Sequence, residues 1–404
     1  MSAPAPSPSP PSVVWTPDYL SYQLSPDHPL DPVRLDLTMR LSRELGVLEG
    51  VETLTPAVAP DAELLRIHTP GYLNAVKGAP GQLQAVGHGL GSEDNPIFER
   101  MHEASALLTG GTLAAAREIA EGRTRRAITI GGGLHHAMAD SASGFCVYND
   151  AAVAISWLLD HGFDRIAYVD VDVHHGDGVQ AAFLHDPRVL TVSVHQHPAT
   201  LWPSTGWAHE TGTGAAAGSV VNLPLMPGTS DAAWLRAFHA VVPSVVRAFR
   251  PQLLVTQCGV DTHREDPLAD LRLTVDGHRA AFAALRDLAE ETAEGRWLAL
   301  GGGGYGLVRV VPRSWTHLLA AVLDRDVDPS TAVPPGWTSH AHERWPEIVL
   351  PTTMGDDGDT AHEPWGGGVG EAASPAAAKV DTAIRDVRRA VFPLLGLDPD
   401  DPRD

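Results

Sequence analysis

Apolar and polar positions repeat along this chain with two periods, and the periods set the expected elements. In Tyr168-Val-Asp-Val-Asp-Val-His174, Val169, Val171 and Val173 interleave with Asp170, Asp172 and His174. That is the two-residue period of a strand, with the valines on one face and the polar residues on the other. The strand is expected over 165–173. Further apolar runs predict strands at 127–130, 189–195, 253–257 and 297–300, and a strand and turn over 15–25. Helical spacing is expected over 35–45, 72–76, 98–121, 150–161, 232–249, 275–291 and 378–395. The Gly- and acid-rich stretch 87–96 and the Pro-, Gly- and Thr-rich stretch 196–218 read as loops, the second long enough to expect a function of it.

Strands alternating with helices predict an α/β fold, a mostly parallel sheet flanked by helices on both faces. Nothing between 15 and 320 reads as a linker, so one domain is expected over 13–324. The Ala/Pro/Ser stretch 1–12 reads as a disordered arm. The remainder, 325–404, is an extension in which a flexible, Gly-, Ala- and acid-rich segment (355–376) precedes a final helix packed on the domain.

Composition narrows the class. Hydrophobic residues make up 43% of 404, enough for a substantial core. Lys and Arg total 29 against 50 Asp and Glu, a net charge of −21, which repels phosphate backbones and suits a basic substrate segment. The two cysteines, Cys146 and Cys258, form no Cys-x-x-Cys, which fits a reducing cytoplasm and excludes a sulfur-ligated zinc site of the usual spacing. No apolar run reaches membrane-spanning length, and the first residues lack the pattern of a secretory signal. A cytoplasmic protein without nucleic-acid or membrane partners is expected.

In open parallel sheets ligands bind beyond the carboxyl ends of the strands. Four segments bring polar groups there: Asp170 to His174, His135-His136, Gln257 to Asp261, and Tyr305 in its glycine run. Singly, each has a plain structural explanation, such as an aspartate capping a helix. Four at one end of one sheet do not. Buried carboxylates and imidazole need compensation, and a cation with oxygen and nitrogen ligands, zinc or iron, supplies it. Asp172, His174 and Asp261 give three ligands and leave a position open, as in catalytic zinc sites. The histidine pair can move a proton, with Asp170 and Asp177 available behind it. The Tyr305 hydroxyl can donate to a developing oxyanion. These groups suit metal-assisted amide hydrolysis.

The segments Gly131-Gly-Gly-Leu-His-His136, Gly144-Phe-Cys-Val-Tyr-Asn-Asp150, Tyr168 to Gly178 and Gly301-Gly-Gly-Gly-Tyr305 resemble the zinc-dependent histone deacetylase family, whose fold is the three-layer arginase/deacetylase-like one. Gly304 to Trp315 and the long acidic tail are similar to the family's bacterial acetoin utilization (AcuC) branch, and the likeness runs over 28–315. It implies a lysine deacetylase with zinc on Asp172, His174 and Asp261, where ferrous iron or cobalt would also be accepted. His136, paired to Asp177, is the implied general base; His135, paired to Asp170, gives electrostatic support or a proton; Tyr305 polarises the acetyl carbonyl. Gly144, Phe145, Trp202 and Leu268 line the implied tunnel, Asp94 is its rim carboxylate, and Arg34 lines an internal cavity. Potassium is implied at Asp170, Asp172, His174, Ser193 and Val194, and a second at Phe183, Asp186 and Val189. Trp202 departs from the phenylalanine usual in the family. The implied partner is an acetylated protein, a metabolic enzyme such as acetyl-CoA synthetase rather than a histone.

Other readings remain. Gly301, Gly303 and Gly306 satisfy Gly-x-Gly-x-x-Gly with Asp324 further on, a dinucleotide signature, but that leaves Asp170 to His174 unexplained. A dinuclear manganese ureohydrolase needs further carboxylates near Asp261, where only Asp266 follows. An acetylpolyamine amidohydrolase shares the catalytic residues, and a non-catalytic acetyl-lysine binding module needs only the tunnel.

Overall fold

The computed structural model describes residues 10–82, 84–367 and 375–404, the last from 378 onward in side-chain detail. Its strands are β1 (Ser12–Val14), β2 (Thr53–Leu54), β3 (Arg126–Thr129), β4 (Ile166–Asp170), β5 (Val189–Gln196), β6 (Val220–Leu225), β7 (Leu253–Gln257) and β8 (Trp297–Leu300). They form a single sheet in the order β2-β1-β3-β8-β7-β4-β5-β6, and every pairing is parallel. Helices Met101–Ala120 and Asp150–Leu159 pack together, and Val33–Glu44, Val311–Val322, Val275–Thr292 and Asp231–Phe249 pack as a second row. Residues of β4, β5, β7 and β8 are buried on both faces, which is why these strands read as near-continuous apolar runs. The architecture is the expected arginase/deacetylase-like α/β one. Both cysteines are free and buried, and among the described residues no helix is long and apolar enough to cross a membrane.

Several element boundaries differ from expectation. The strand expected at 15–25 is Ser12–Val14, so Ser12 belongs to the sheet, while Pro17–Ser21 is a 3-10 helix. Pro17 takes its first turn and Thr16 Oγ1 accepts the Asp18 N–H at 3.3 Å. Of the expected arm, 1–9 lies outside the described residues.

The strand expected over 165–173 stops at Asp170. Beyond it, carboxylates replace the ladder: Asp172 N–H donates to Asp170 Oδ1 (3.1 Å), Val173 N–H to Asp261 Oδ1 (2.8 Å) and His174 N–H to Asp172 Oδ1 (3.0 Å). Helix Asp177–Phe183 and strand β6 had no expected counterpart. Pro224 sits inside β6, which a strand at the end of the sheet tolerates.

The extension beyond 324 carries helix Pro335–Arg344 and ends in helix Pro375–Leu395, which packs on Asp231–Phe249 and β6. The buried Arg388 guanidinium donates to the carbonyls of Ala240 (2.7 Å) and Pro399 (2.9 Å) beneath Trp365. Of the stretch expected to be flexible, 368–374 lies outside the described residues, but its start is anchored. Asp356 accepts from Arg313 (2.7 Å), the His263 ring (2.8 Å) and Val275 N–H (3.1 Å).

Burial pushes the Asp356 carboxyl up, but His263, Arg313 and the Val275 N–H outweigh it and hold it far below the usual range. A carboxyl depressed in the folded state contributes stability above its unfolded value, near 3.9, and loses it as pH falls. Urea denaturation between pH 6 and pH 3 is expected to show the parent losing stability more steeply below about pH 4 than Asp356→Asn.

Candidate active site

The four polar segments follow β3, β8, β7 and β4, which are consecutive in the sheet. Their loops therefore converge at one end. Asp172 and Asp261 are buried, as is His174. Each offers one ligand atom, and these atoms lie within 4.8 Å of one another. His174 Nδ1 is 3.2 Å from both Asp172 Oδ1 and Asp261 Oδ2. Donor atoms on a tetrahedral centre with bonds of about 2.0–2.2 Å stand roughly 3.3 Å apart, so the cluster fits a divalent ion.

The electrostatics point the same way. Burial and then the Asp172 charge push the Asp261 carboxyl up. Burial also disfavours the Asp172 charge, but the His135 and His174 imidazoles outweigh it and hold that carboxyl well below the usual range. Such a cluster demands positive charge. Its walls are glycine because the backbone passes directly over the carboxylates: a methyl group at Gly303 would run into Asp261 Oδ2 and Asp172 Oδ2, and one at Gly259 into Asp172 Oδ2. Gly303 N–H donates to Asp172 Oδ2 at 2.8 Å.

The histidine pair sits beside this cluster, its rings 3.9 Å apart. His135 Nδ1 is 2.8 Å from Asp170 Oδ2, and His136 Nδ1 is 2.7 Å from Asp177 Oδ1. Burial, then the charge of His135, push His136 down to about 4; Asp170 and Asp172 overcome burial and raise His135 to about 9. One ring is thus neutral and its neighbour charged. With Asp177 ionised, His136 Nδ1–H donates to it and Nε2 keeps its lone pair. Asp150 fixes the loop bearing both rings, accepting the N–H groups of Gly133 (2.9 Å) and Leu134 (2.7 Å). Burial, then the charges of Asp261 and Asp172, raise the Tyr305 hydroxyl well above its ordinary value, so it stays a donor.

A pocket of about 340 Å3 opens above, lined by Asp94, His136, Gly144, Phe145, His174, Leu201, Trp202, Leu268 and Tyr305. Phe145 meets Tyr305 edge-on at 5.6 Å. Trp202, 43% exposed, meets the His136 ring at 4.6 Å. Gly144 and Phe145 have φ of 49° and 69°, and any side chain at Gly144 would meet Trp202 and His136.

Arg34 lies beneath, donating to the Gly304 carbonyl (2.8 Å) with its guanidinium over Trp315. Ser193 pairs with Asp170 in register, its Oγ 2.8 Å from His195 Nδ1, with Val194 next to it in β5. Phe183, Asp186 and Val189 form a turn in which Asp186 N–H donates to Phe183 O (3.0 Å) and Val189 N–H to Asp186 O (3.2 Å).

Sequence reasoning gave no role to several residues that hold the site. Gln257 Nε2 donates to Asp172 Oδ2 (2.7 Å) while its Oε1 accepts the Gly259 N–H (2.7 Å). Asp266, weighed only as a second-metal ligand, accepts the N–H of Tyr305 (2.8 Å) and of Leu268 (3.0 Å). It is not part of the metal-ligating cluster among the described residues. The Tyr22 hydroxyl donates to Phe145 O (2.7 Å) and accepts the Val147 N–H (3.1 Å), holding Phe145 in its left-handed conformation. No local motif flags Tyr22, which is far from Phe145 in sequence. Tyr22→Phe is expected to lose about 1–3 kcal/mol in urea denaturation, because the buried Val147 N–H and the part-buried Phe145 carbonyl lose their partner.

A model of the histone deacetylase domain matches residues 28–322. The acetoin utilization protein AcuC of Bacillus subtilis (strain 168) is 38% identical over 350 residues, 86% of this chain and 90% of that one. AcuC of Staphylococcus xylosus is 35% identical over 348 residues, 85% of this chain and 90% of that one. Among solved structures, a histone deacetylase homologue from Aquifex aeolicus matches with a TM-score of 0.77 at 28% identity, covering 93% of this chain and all of that one. A histone deacetylase homologue complexed with SAHA matches at 0.78 and 29%, with the same coverage.

Proposed function

The chain belongs to the histone deacetylase family, in its AcuC branch, and from that premise we propose that this deacetylase hydrolyses N6-acetyl-lysine on a protein, with zinc held by Asp172, His174 and Asp261. The observation that carries the reading is the buried cluster of those three side chains, whose His174 lines a pocket that also holds His136 and Tyr305.

The stem of the acetylated lysine runs between Phe145 and Trp202, with the polypeptide across the mouth where Asp94 accepts a backbone N–H. Zinc, when bound, supplies a Lewis acid for the acetyl carbonyl and for the attacking water. His136 Nε2 takes the proton of that water, Asp177 holding the ring in the required tautomer. The Tyr305 hydroxyl donates to the oxygen on which negative charge develops. His135, held by Asp170, lends electrostatic support or a proton. His136 then returns its proton to the departing lysine amine. Arg34, whose Nε has no protein partner among the described residues, is available to the acetate released beneath. Ser193 and Val194 with Asp170, and Phe183 with Asp186 and Val189, are the proposed potassium positions.

The protein substrate we favour is a metabolic enzyme such as acetyl-CoA synthetase; its support is the likeness to proteins named for acetoin utilization. The experiment is acetate release by zinc-loaded protein from an acetyl-lysine peptide and from acetylspermine, with and without a chelator. Chelator-sensitive turnover of the peptide above acetylspermine supports the reading. The reverse preference would make it an acetylpolyamine amidohydrolase, and binding without turnover a non-catalytic module.

A further inference from the structure

We propose that the C-terminal extension completes a second subsite beside the tunnel, which seats a large apolar side chain one or two positions from the acetylated lysine. This rests on the deacetylase reading and names the kind of polypeptide that site takes. A groove of about 230 Å3 is lined by Glu265, Tyr305, Leu307, Arg309, Trp345 and Ile348, with Gly306 and Val308 between them. Tyr305 belongs to the wall of the main pocket as well, so the two spaces adjoin at that residue.

Trp345 and Ile348 come from the segment that follows helix Pro335–Arg344. That segment is tied to the catalytic loop: the Arg309 guanidinium donates to the Val349 carbonyl and pairs with Glu265 at 2.7 Å. The two charges in the wall therefore satisfy each other, and what they leave facing the groove is apolar. Leu307, Trp345 and Ile348 are half-buried, and Val349 beside them is 80% exposed. Apolar surface collected next to a catalytic pocket marks a place where something apolar binds.

A tunnel sized for a lysine stem leaves the rest of the polypeptide lying across its mouth. An extended chain advances about 3.3 Å per residue and sends successive side chains to opposite sides. A side chain one or two positions away thus spans the width of the Tyr305 ring and reaches the groove. A small acetylated amine has nothing to put there. An acidic side chain would enter the field of a molecule of net charge −21, and a basic one would find Glu265 already paired with Arg309, so the groove favours an apolar one.

The test uses zinc-loaded, full-length protein and acetyl-lysine peptides with phenylalanine, glycine or glutamate at each of the two positions on either side. At one of these positions phenylalanine is expected to lower KM about tenfold relative to glycine, with kcat little changed, the scale set by part-burial of one large apolar side chain. Ile348→Ser is expected to bring that ratio to about one. Ile348→Lys is expected to shift the preference toward glutamate, a gain that misfolding cannot imitate. A parent that treats phenylalanine and glycine alike at all four positions, or an unchanged preference in Ile348→Lys, overturns the subsite. A parent that hydrolyses none of the peptides removes the deacetylase reading itself, and the subsite with it.

Discussion

Tyr305→Phe is expected to fold as the parent does and to lose about 10²–10³-fold in kcat, with KM for an acetyl-lysine peptide changed little. The ring's surroundings explain the first half. Asp266 holds the backbone N–H of residue 305 whatever the side chain, and the T-shaped contact with Phe145 is between rings, which phenylalanine keeps. The chemistry explains the second. The hydroxyl is kept protonated by burial and by the two carboxylates nearby, so on the proposed mechanism its donor serves charge that exists only in the transition state. Steady-state kinetics beside a circular dichroism spectrum check both halves. Turnover at the parental rate would remove Tyr305 from the chemistry.

Asp261→Asn should separate stability from activity in the opposite sense. Without a divalent ion, the parent confines two buried carboxylates, Asp172 and Asp261, within 4.8 Å of each other. Burial and the Asp172 charge push the Asp261 carboxyl up, a folding cost that an amide does not carry, so the metal-free variant is expected to melt higher than the metal-free parent. Zinc should then raise the parent's Tm, by an amount worth about 4 kcal/mol at a thousandfold excess over Kd. The variant should show little such rise and at least about 10³-fold less turnover. Calorimetric melts of both proteins with and without zinc decide it. An equal zinc-induced shift in both would mean that Asp261 is not a ligand.

The parts of this site legible in the sequence were those whose side chains follow directly on a strand. Asp172 and His174 come within four residues of β4, and Asp261 within four of β7, so a strand ending in carboxylates pointed to the place. The alternation that flagged them was misleading about their conformation: carboxylates capture the backbone N–H groups from 172 onward and the strand ends three residues sooner than the pattern suggests. Residues that act through backbone contacts were not legible. Tyr22 reaches Phe145 and Asp266 reaches the Tyr305 N–H across folds of the chain that no local period records. Helix Val311–Val322 was missed for another reason: its polar face, with Arg313 and His317, is buried against the extension, where they meet Asp356 and the Met354 carbonyl, so polar and apolar positions do not sort by solvent exposure.

The strand order has a kinetic corollary. Arg126 pairs with Trp297 and Ile166 with Leu253, so β3 emerges from the ribosome long before β8, its second neighbour, and β4 is half-covered until β7 arrives. Pairings so distant in sequence form slowly, and until then the nascent chain displays bare strand edges open to aggregation. Synthesis of this protein should therefore depend on chaperones that shield unfinished sheets, and its yield should fall sharply where translation outruns them.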